Sequence, residues 1–251
     1  MTSTTARLGG WLLCTPDEWA TRTEALSDSL RELIVEYASP TAERGLDVGC
    51  QTGLLSARLA RTTELTWTGV DPIIATPRRG PDARVALLPG FSNDLPFDAD
   101  GFDCVVLANV FEHIYPEDRQ ASLDEIARVL TPGGILVGQL PNPYFPIESH
   151  SRLPFMGWLP PALRPRYWRL APVPWRNDEF PRDTPFYVVT IADLQRCARA
   201  AGLDVELVRN FHYPAAALPQ ALRWTAGAFR RFPLRHLPWA WQFVFRKQCA
   251  V

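Results

Sequence analysis

Long hydrophobic runs and clustered cysteines are both missing from this chain of 251 residues. No stretch of about 18 consecutive apolar residues occurs, so we expect no membrane-spanning helix. The first residues lack the charged-then-apolar pattern of a signal peptide, and a cytoplasmic protein is therefore expected. The cysteines form no CxxC pair and no group with histidine at metal-ligand spacing, which predicts free thiols and no metal site. They are Cys14, Cys50, Cys104, Cys197 and Cys249.

Lysine is nearly absent from the chain, and acidic residues are absent from the segment 209–247. This segment holds six arginines and the single lysine, interleaved with Trp224, Phe229, Phe232, Trp239 and Trp241. Such a pattern suits peripheral contact with the anionic inner face of a membrane, a channel for a phosphorylated substrate, or RNA. A solvated arginine-rich face over an aromatic core is the alternative. We do not expect a nucleic-acid partner.

The first 140 residues alternate between helical and strand-like patterns. Thr15, Pro16 and Glu18 form a capping box with proline at the first helical position, which predicts a helix over 16–38. A second helix is predicted over 54–60, and a third around Leu123–Leu130. Short apolar runs between the helices predict strands at 46–48, 65–70, 83–88, 102–108 and 135–140. Alternation of this kind favours an α/β fold with a mostly parallel sheet.

The remainder of the chain divides at a proline-rich segment. Residues 141–186 hold eleven prolines, a density that excludes long regular elements and indicates an irregular substrate lid. A helix is expected after Thr190, followed by strands at 205–208 and 241–245. We therefore predict one domain over 1–251, with a cofactor-binding core at 16–140, the lid at 141–186 and the end of the sheet at 187–251.

The stretch "LDVGCQTG", residues 46–53, has the composition of a ligand-binding turn. It joins a predicted strand to a predicted helix, at the sheet edge where ligands bind in open α/β folds. Gly49 permits a tight turn, and Gly53 lets the helix start close to the strand and the ligand. Asp71 ends the second predicted strand, where a carboxylate can accept both hydroxyls of a ribose. This arrangement favours a ligand that contains adenosine.

The glycine spacing separates two classes of nucleotide-binding protein. A dinucleotide fingerprint requires G-x-G-x-x-G, whereas Gly49 and Gly53 stand four apart with no glycine at 51 or 54. The pattern D-x-G-x-x-x-G resembles the first motif of class I S-adenosylmethionine-dependent methyltransferases, in particular the type 11 branch. The similarity continues in order through "TGVD", "DLPFDADGFDCVVLANVFEHI" and "EIARVLTPGGILV", so it covers residues 40–140. It implies methyl transfer, S-adenosylmethionine as cofactor and a Rossmann-like, doubly wound, seven-stranded sheet with helices on both faces.

The resemblance also implies which residues hold the cofactor. Asp71 would bind the ribose, and Gln51 is expected to reach the methionine end with its amide. Family members often place an aspartate for the adenine amino group where this chain has Phe91, so a neighbouring side chain or backbone group must replace it. The implied cofactor residues are Asp47, Gly49, Cys50, Gln51, Gly53, Asp71, Pro72, Ser92, Asn93, Ala108 and Asn109.

Methyl transfer to a hydroxyl needs a base that removes the acceptor's proton. His113, which follows the predicted strand at 102–108, is the first candidate because the unperturbed pKa of histidine is near neutrality. Glu148 and His150, in the proline-rich segment, are the second candidates. The resemblance suggests a small-molecule, glycan or lipid-linked acceptor that is methylated on oxygen. A noncatalytic scaffold and an RNA methyltransferase remain as alternatives; "NPYF" at 142–145 resembles an RNA methyltransferase tetrad but follows the wrong strand.

Overall fold

A computed structural model describes residues 15–151, 153–168, 170, 188–228, 231 and 236–249. Its first helix, α1, spans Pro16–Tyr37. The backbone N–H of Thr15 donates to Oε2 of Glu18 at 2.8 Å, and the N–H of Glu18 donates to Oγ1 of Thr15 at 3.2 Å. The reciprocal pair satisfies two amides that the first helical turn would otherwise leave unbonded, and it confirms the predicted capping box.

The other elements alternate as the sequence predicts. The further helices are α2 (Leu54–Thr62), α3 (Arg119–Val129), α4 (Arg164–Trp168), α5 (Ile191–Ala200) and α6 (Arg223–Ala228). The strands are β1 (Arg44–Val48), β2 (Thr66–Val70), β3 (Arg78–Arg79), β4 (Val85–Leu88), β5 (Phe102–Ala108), β6 (Leu130–Pro141), β7 (Leu203–Phe211) and β8 (Ala240–Lys247). They form one sheet in the order β3-β4-β2-β1-β5-β6-β8-β7. Strands β4, β2, β1, β5 and β6 pair in parallel.

The predicted fold class is confirmed, but the predicted count of seven strands is wrong. The eighth strand is β3, which pairs antiparallel with β4 at the sheet edge. Its two arginines are exposed, so no apolar alternation marks it in the sequence. Strands β6, β7 and β8 also extend beyond the predicted bounds. Their extra residues include polar ones such as Arg209 and Arg246, which a purely apolar pattern leaves out.

The contacts divide the chain into two compact units. The sheet unit comprises Leu26–Leu140, Ile191–Arg209 and Gln242–Val251, and the proline-rich unit comprises Met1–Ala25, Pro141–Thr190 and Asn210–Trp241. The sheet unit packs α1 and α2 against the strands, and its core includes Leu30, Leu33, Ile34, Leu59, Trp67, Leu87, Val106 and Val137. The five parallel strands β4, β2, β1, β5 and β6 therefore form a well-packed support for the loops at their carboxyl ends.

Among its described residues, the proline-rich unit has two small cores. In one of them Phe145 stacks on Trp239, with ring centroids 4.0 Å apart, and Tyr213 packs beside them. The other contains Leu153, Met156 and Trp168. Within its described part, the segment 141–186 has only short helices, as its prolines predict; residues 171–187 lie outside the described residues. The role of this segment as a lid stays a prediction.

A span across the hydrocarbon core takes about 20 mostly apolar residues. Among the described residues, no helix combines sufficient length with sufficient hydrophobicity to cross a membrane.

Candidate active site

The loop after β1 has the backbone conformation that the sequence suggested. Three of its five residues have positive φ: 77° at Gly49, 49° at Gln51 and 81° at Gly53. A Cβ on Gly49 would collide with the side chain of Val110, and one on Gly53 would lie 2.8 Å from Cδ2 of Leu87. Both glycines are thus required by shape as well as by φ. We call residues 49–53 the cofactor loop.

Asp71 holds the cofactor loop in place. The N–H of Gln51 donates to Oδ2 of Asp71 at 2.8 Å, and the N–H of Ile73 donates to Oδ1 at 3.0 Å. The N–H groups of Gly49 and Cys50 both donate to the carbonyl of Val70, at 2.8 and 3.2 Å. Each carboxylate oxygen of Asp71 has a second lone pair that can accept a further hydrogen bond, such as one from a ribose hydroxyl.

Asp47 and Cys50 point into the sheet unit below the cofactor loop. Oγ of Ser56 donates to Oδ2 of Asp47 at 2.5 Å, which ties β1 to α2. Burial, opposed by the hydrogen bonds from Ser56 and reinforced by the charge of Asp71, raises the pKa of Asp47 to about 7. The Cys50 thiol belongs to the hydrophobic core, and burial raises its pKa. Both side chains support the loop from beneath, so only the backbone of Cys50 can face a ligand.

The raised pKa of Asp47 gives a measurable pH dependence. Between about pH 4 and pH 7 the unfolded chain has lost this proton while the folded chain keeps it. The folded state therefore binds more protons, and the free energy of unfolding falls as the pH rises through this window. Asp47→Asn is expected to remove that contribution, so that urea unfolding depends less on pH between about 4.5 and 7. The exposed Asp98→Asn is the control; an unchanged pH slope in Asp47→Asn would show that this carboxyl stays ionised in the fold.

Large apolar side chains are exposed next to the cofactor loop. Leu54 is 50%, Ile73 68% and Phe91 62% exposed. Val70, at the end of β2, pairs with Leu88, at the end of β4. Ile73 and Phe91 each come three residues after one of these paired residues, at the same edge of the sheet. Exposed apolar side chains are the usual lining for a flat, mostly apolar part of a ligand. Phe91 replaces the family's aspartate here with an apolar wall, so it offers contact area in place of a hydrogen bond.

The other residues that the resemblance implied lie on the same edge. The Ser92 and Ser122 hydroxyls lie 2.9 Å apart, which leaves Asn93, half-buried, as the freer polar side chain. Pro72 is exposed directly after Asp71. Ala108 ends β5, and Asn109, which follows it directly, has a φ of 57°. The whole predicted cofactor set thus belongs to the sheet unit and to the carboxyl ends of β1, β2, β4 and β5; its contact with a ligand stays a prediction.

His113 lies in a short 3-10 helix, Phe111–His113, just after β5. Its Nε2 is 3.9 Å from Oε1 of Glu112, a distance of ion pairing and longer than a hydrogen bond. Glu112 is buried. Glu112 and His113 both belong to the sheet unit.

Glu148 and His150 form a tighter pair in the proline-rich unit. Nδ1 of His150 lies 2.7 Å from Oε1 of Glu148, and the N–H groups of His150 and Ser151 donate to the same carboxylate at 2.9 and 2.5 Å. Burial raises the pKa of Glu148, but the charge of His150 and these hydrogen bonds outweigh it and lower the pKa to about 2. An ionised carboxylate at Nδ1 fixes that nitrogen as the donor, so a neutral His150 carries its lone pair on Nε2.

Most of the cations in the segment 209–247 have partners inside the protein. Arg209, Arg223, Arg246 and Lys247 pair with Glu32, Glu18, Glu206 and Asp100. Arg246 also donates to the carbonyls of Gly133 and Tyr37. Residues 229–230 and 232–235 lie outside the described residues, and with them Phe229 and Phe232. Four of the seven cations of this segment thus stabilise the fold itself, which favours the alternative of a structural arginine-rich face.

Two features of the edge were missed in the sequence. The first is the pair of exposed apolar residues, Leu54 and Ile73, which could have been noticed because each directly follows a turn at the end of a strand. The second is a set of buried amides, Gln139 and Gln242, on β6 and β8. A glutamine inside an apolar strand run is the signal that could have revealed them, because a buried amide needs partners.

Known proteins resemble this chain in the region that contains the cofactor loop and Asp71. Residues 46–138 match the family described as methyltransferase domain. The uncharacterized methyltransferase YodH of Bacillus subtilis (strain 168) is 31% identical over 134 residues, which cover 50% of this chain and 56% of that protein. Demethylmenaquinone methyltransferase of Clavibacter sepedonicus is 30% identical over 131 residues, which cover 50% of this chain and 53% of that protein. The chain spans about half the length of these relatives.

The fold has solved counterparts as well. The crystal structure of an S-adenosylmethionine-dependent methyltransferase from Mesorhizobium loti aligns with a TM-score of 0.62. The alignment covers 90% of this chain and 100% of that one at 14% identity, so it shows the shared fold alone. The family match, the glycine loop and the anchored Asp71 agree on one class, whose cofactor is S-adenosylmethionine. Residues 46–138 thus match the methyltransferase-domain family, in agreement with the resemblance to class I S-adenosylmethionine-dependent methyltransferases.

Proposed function

We propose that this protein transfers a methyl group from S-adenosylmethionine to a hydroxyl oxygen of a small-molecule, glycan or lipid-linked acceptor. The observation that supports the methyl donor is the cofactor loop, whose left-handed glycines pack too closely against Val110 and Leu87 to admit a Cβ and whose backbone is held by Asp71. The Glu148–His150 pair supports an acceptor that must lose a proton, and a hydroxyl is the acceptor of this kind that we propose.

The residues of the sheet unit fit the cofactor's parts. Asp71 would accept the ribose hydroxyls, Ile73 and Phe91 would contact the adenine, and the first turn of α2 would direct N–H groups to the cofactor. S-adenosylmethionine, when bound, supplies an electrophilic methyl group on a positively charged sulfur. The protein's task is then to hold that methyl in line with the acceptor oxygen and to exclude water.

The chemistry of the acceptor side falls to His150. Its Nε2 lone pair would take the proton from the acceptor O–H as the new O–CH3 bond forms, and the electron pair of the broken S–CH3 bond stays on sulfur. The products are a methyl ether, S-adenosylhomocysteine and a protonated His150. Glu148 stabilises the imidazolium by its charge and holds the ring by its hydrogen bond to Nδ1. We prefer His150 to His113 because its carboxylate partner lies at hydrogen-bond distance, 2.7 Å against 3.9 Å.

The activity is tested by product analysis. The protein is incubated with S-adenosylmethionine labelled with ¹³C on the methyl group and with a panel of phenols, sugars and isoprenoid quinols. We expect a labelled O–CH3 product, which NMR distinguishes from N–CH3 and C–CH3 products by chemical shift. Label appearing only on nitrogen or carbon would contradict hydroxyl methylation. If the protein binds the methyl donor but methylates no compound of the panel until a partner protein is added, the noncatalytic scaffold is favoured. Label in added RNA would favour an RNA methyltransferase.

We also propose peripheral contact of the segment 209–247 with an anionic membrane. Trp224 on α6 is 73% exposed, and aromatic residues of this kind insert at bilayer interfaces. If the contact exists, vesicles of phosphatidylglycerol should retain the protein at low salt, neutral phosphatidylcholine vesicles should not, and Trp224→Ser should reduce the retained fraction at least about threefold. Equal recovery from both vesicle types would rule the contact out.

A further inference from the structure

A chain of amide side chains crosses four neighbouring strands of the sheet unit. Nε of Arg209, on β7, donates to Oε1 of Gln242, on β8, at 3.0 Å. Nε2 of Gln242 donates to Oε1 of Gln139, on β6, at 3.4 Å. Nε2 of Gln139 donates to Oδ1 of Asn109, at the end of β5, at 3.0 Å. Gln139 is 2% and Gln242 0% exposed, so these bonds form in a dry environment where an unmatched group is costly.

The orientation of every amide in the chain follows from its first member. Arginine has donors only, so the oxygen of Gln242 must face Arg209. Oγ of Ser29 donates to the same oxygen at 2.8 Å and accepts from Arg209, which fixes that orientation twice. The nitrogen of Gln242 must then face the oxygen of Gln139, and the nitrogen of Gln139 must face the oxygen of Asn109. The NH2 group of Asn109 is therefore left at the open end of the chain.

Asn109 stands beside the cofactor loop. Its backbone has a φ of 57°, and its N–H donates to the carbonyl of Gln139 at 2.8 Å, which holds this uncommon conformation. The next residue, Val110, is the one that a Cβ on Gly49 would strike. Asn109 thus approaches the loop from the β5 side of β1, while Asp71 approaches it from the β2 side. Among the described residues, none accepts a hydrogen bond from Nδ2 of Asn109.

We infer that Arg209, Gln242 and Gln139 are positioning residues that fix Nδ2 of Asn109 as a hydrogen-bond donor to the carboxylate of the cofactor's amino-acid end. Asp71 is an acceptor and suits the ribose hydroxyls, so the opposite side of the loop is left for the part of the cofactor that carries acceptor oxygens. This inference rests on the proposed function, because it requires that S-adenosylmethionine binds at the cofactor loop.

The inference is tested by comparing two ligands in isothermal titration. S-adenosylhomocysteine carries the amino-acid end, whereas 5′-methylthioadenosine keeps the adenosine and the sulfur but lacks that end. Gln242→Glu keeps an acceptor for Arg209 but cannot donate to Gln139, so the polarity of the chain is broken. We expect the affinity for S-adenosylhomocysteine to fall about fivefold to tenfold, the effect of one hydrogen bond, and the affinity for 5′-methylthioadenosine to change less than about twofold.

Two further variants keep the test informative. Arg209→Gln lies at the partly exposed end of the chain and removes the group that dictates its polarity, so an affinity loss of about threefold for S-adenosylhomocysteine alone is expected even if Gln242→Glu does not fold. Gln248→Glu introduces the same change at an exposed glutamine of the sheet unit and should leave both affinities unchanged. Equal losses for both ligands, or none, would overturn the inference. Failure of the wild-type protein to bind either ligand would instead overturn the proposed function.

Discussion

An alanine at position 49 is expected to weaken the binding of S-adenosylmethionine about 100-fold. Gly49 has a φ of 77°, and its Cβ would occupy the position of the Val110 side chain. The left-handed backbone costs about 1–2 kcal/mol and the overpacking about 1–3 kcal/mol, so the loop relaxes by moving away from the geometry that receives the cofactor. Each 1.4 kcal/mol of this cost corresponds to about tenfold in affinity. Isothermal titration measures the loss directly.

Two variants separate the collision from the backbone strain. Gly202 also has a φ of 77°, but a Cβ there meets nothing within 4 Å, so Gly202→Ala imposes strain without collision. It should lower thermal stability and leave cofactor affinity unchanged. In the Gly49→Ala background, Val110→Ala removes the colliding methyl groups and should restore part of the affinity. If Gly49→Ala binds as tightly as the wild type, the cofactor does not lie on this loop.

Replacement of His150 by asparagine is expected to lower kcat about 10²-fold to 10⁴-fold, the usual contribution of a general base. Asparagine can still donate a hydrogen bond to Glu148, so the buried carboxylate keeps a partner, but it has no basic nitrogen in place of Nε2. The dissociation constant of S-adenosylmethionine and the KM of the acceptor should change little, because the base acts on the transition state. The fall of kcat toward acid pH, where a histidine base becomes protonated, should also disappear.

The controls for this variant are histidines elsewhere in the chain. His236→Asn, at an exposed position of the same unit, should leave kcat unchanged. His113→Asn distinguishes the two candidate bases. A large loss of kcat in His113→Asn, with less than about a twofold loss in His150→Asn, would reverse the assignment and leave the Glu148–His150 pair a structural one.

The parallel half of the fold was predictable from the sequence because its signals are local. The capping box at Thr15–Glu18 and the glycines of the cofactor loop act through neighbouring residues, so their spacing carries the geometry. The predicted helix at 16–38 and strand at 46–48 accordingly match α1 and the end of β1. Asp71 was predictable as well, since the end of β2 must lie beside the end of β1 in a parallel sheet.

The parts that were not predictable depend on distant partners. Strand β3 forms because Arg78 and Arg79 pair with the free edge of β4. No sequence pattern at these two residues indicates a strand. The orientation of Asn109 is set by Arg209, one hundred residues away in the chain, through two buried amides that the sequence places in different strands. The pairing of His150 with Glu148 depends on a turn of the chain around the Glu148 carboxylate. A separation of two residues in the sequence does not determine the distance between the two side chains.

The central claim is that the cofactor loop binds S-adenosylmethionine, and isothermal titration of the wild-type protein tests it most directly. The account predicts saturable binding with one site per chain and a dissociation constant between about 1 μM and 1 mM, the range of substrate affinities common in enzymes. The heat of binding should vanish, or the affinity fall about 100-fold, in Gly49→Ala. A folded wild-type protein that shows no binding at about 1 mM S-adenosylmethionine would contradict the account.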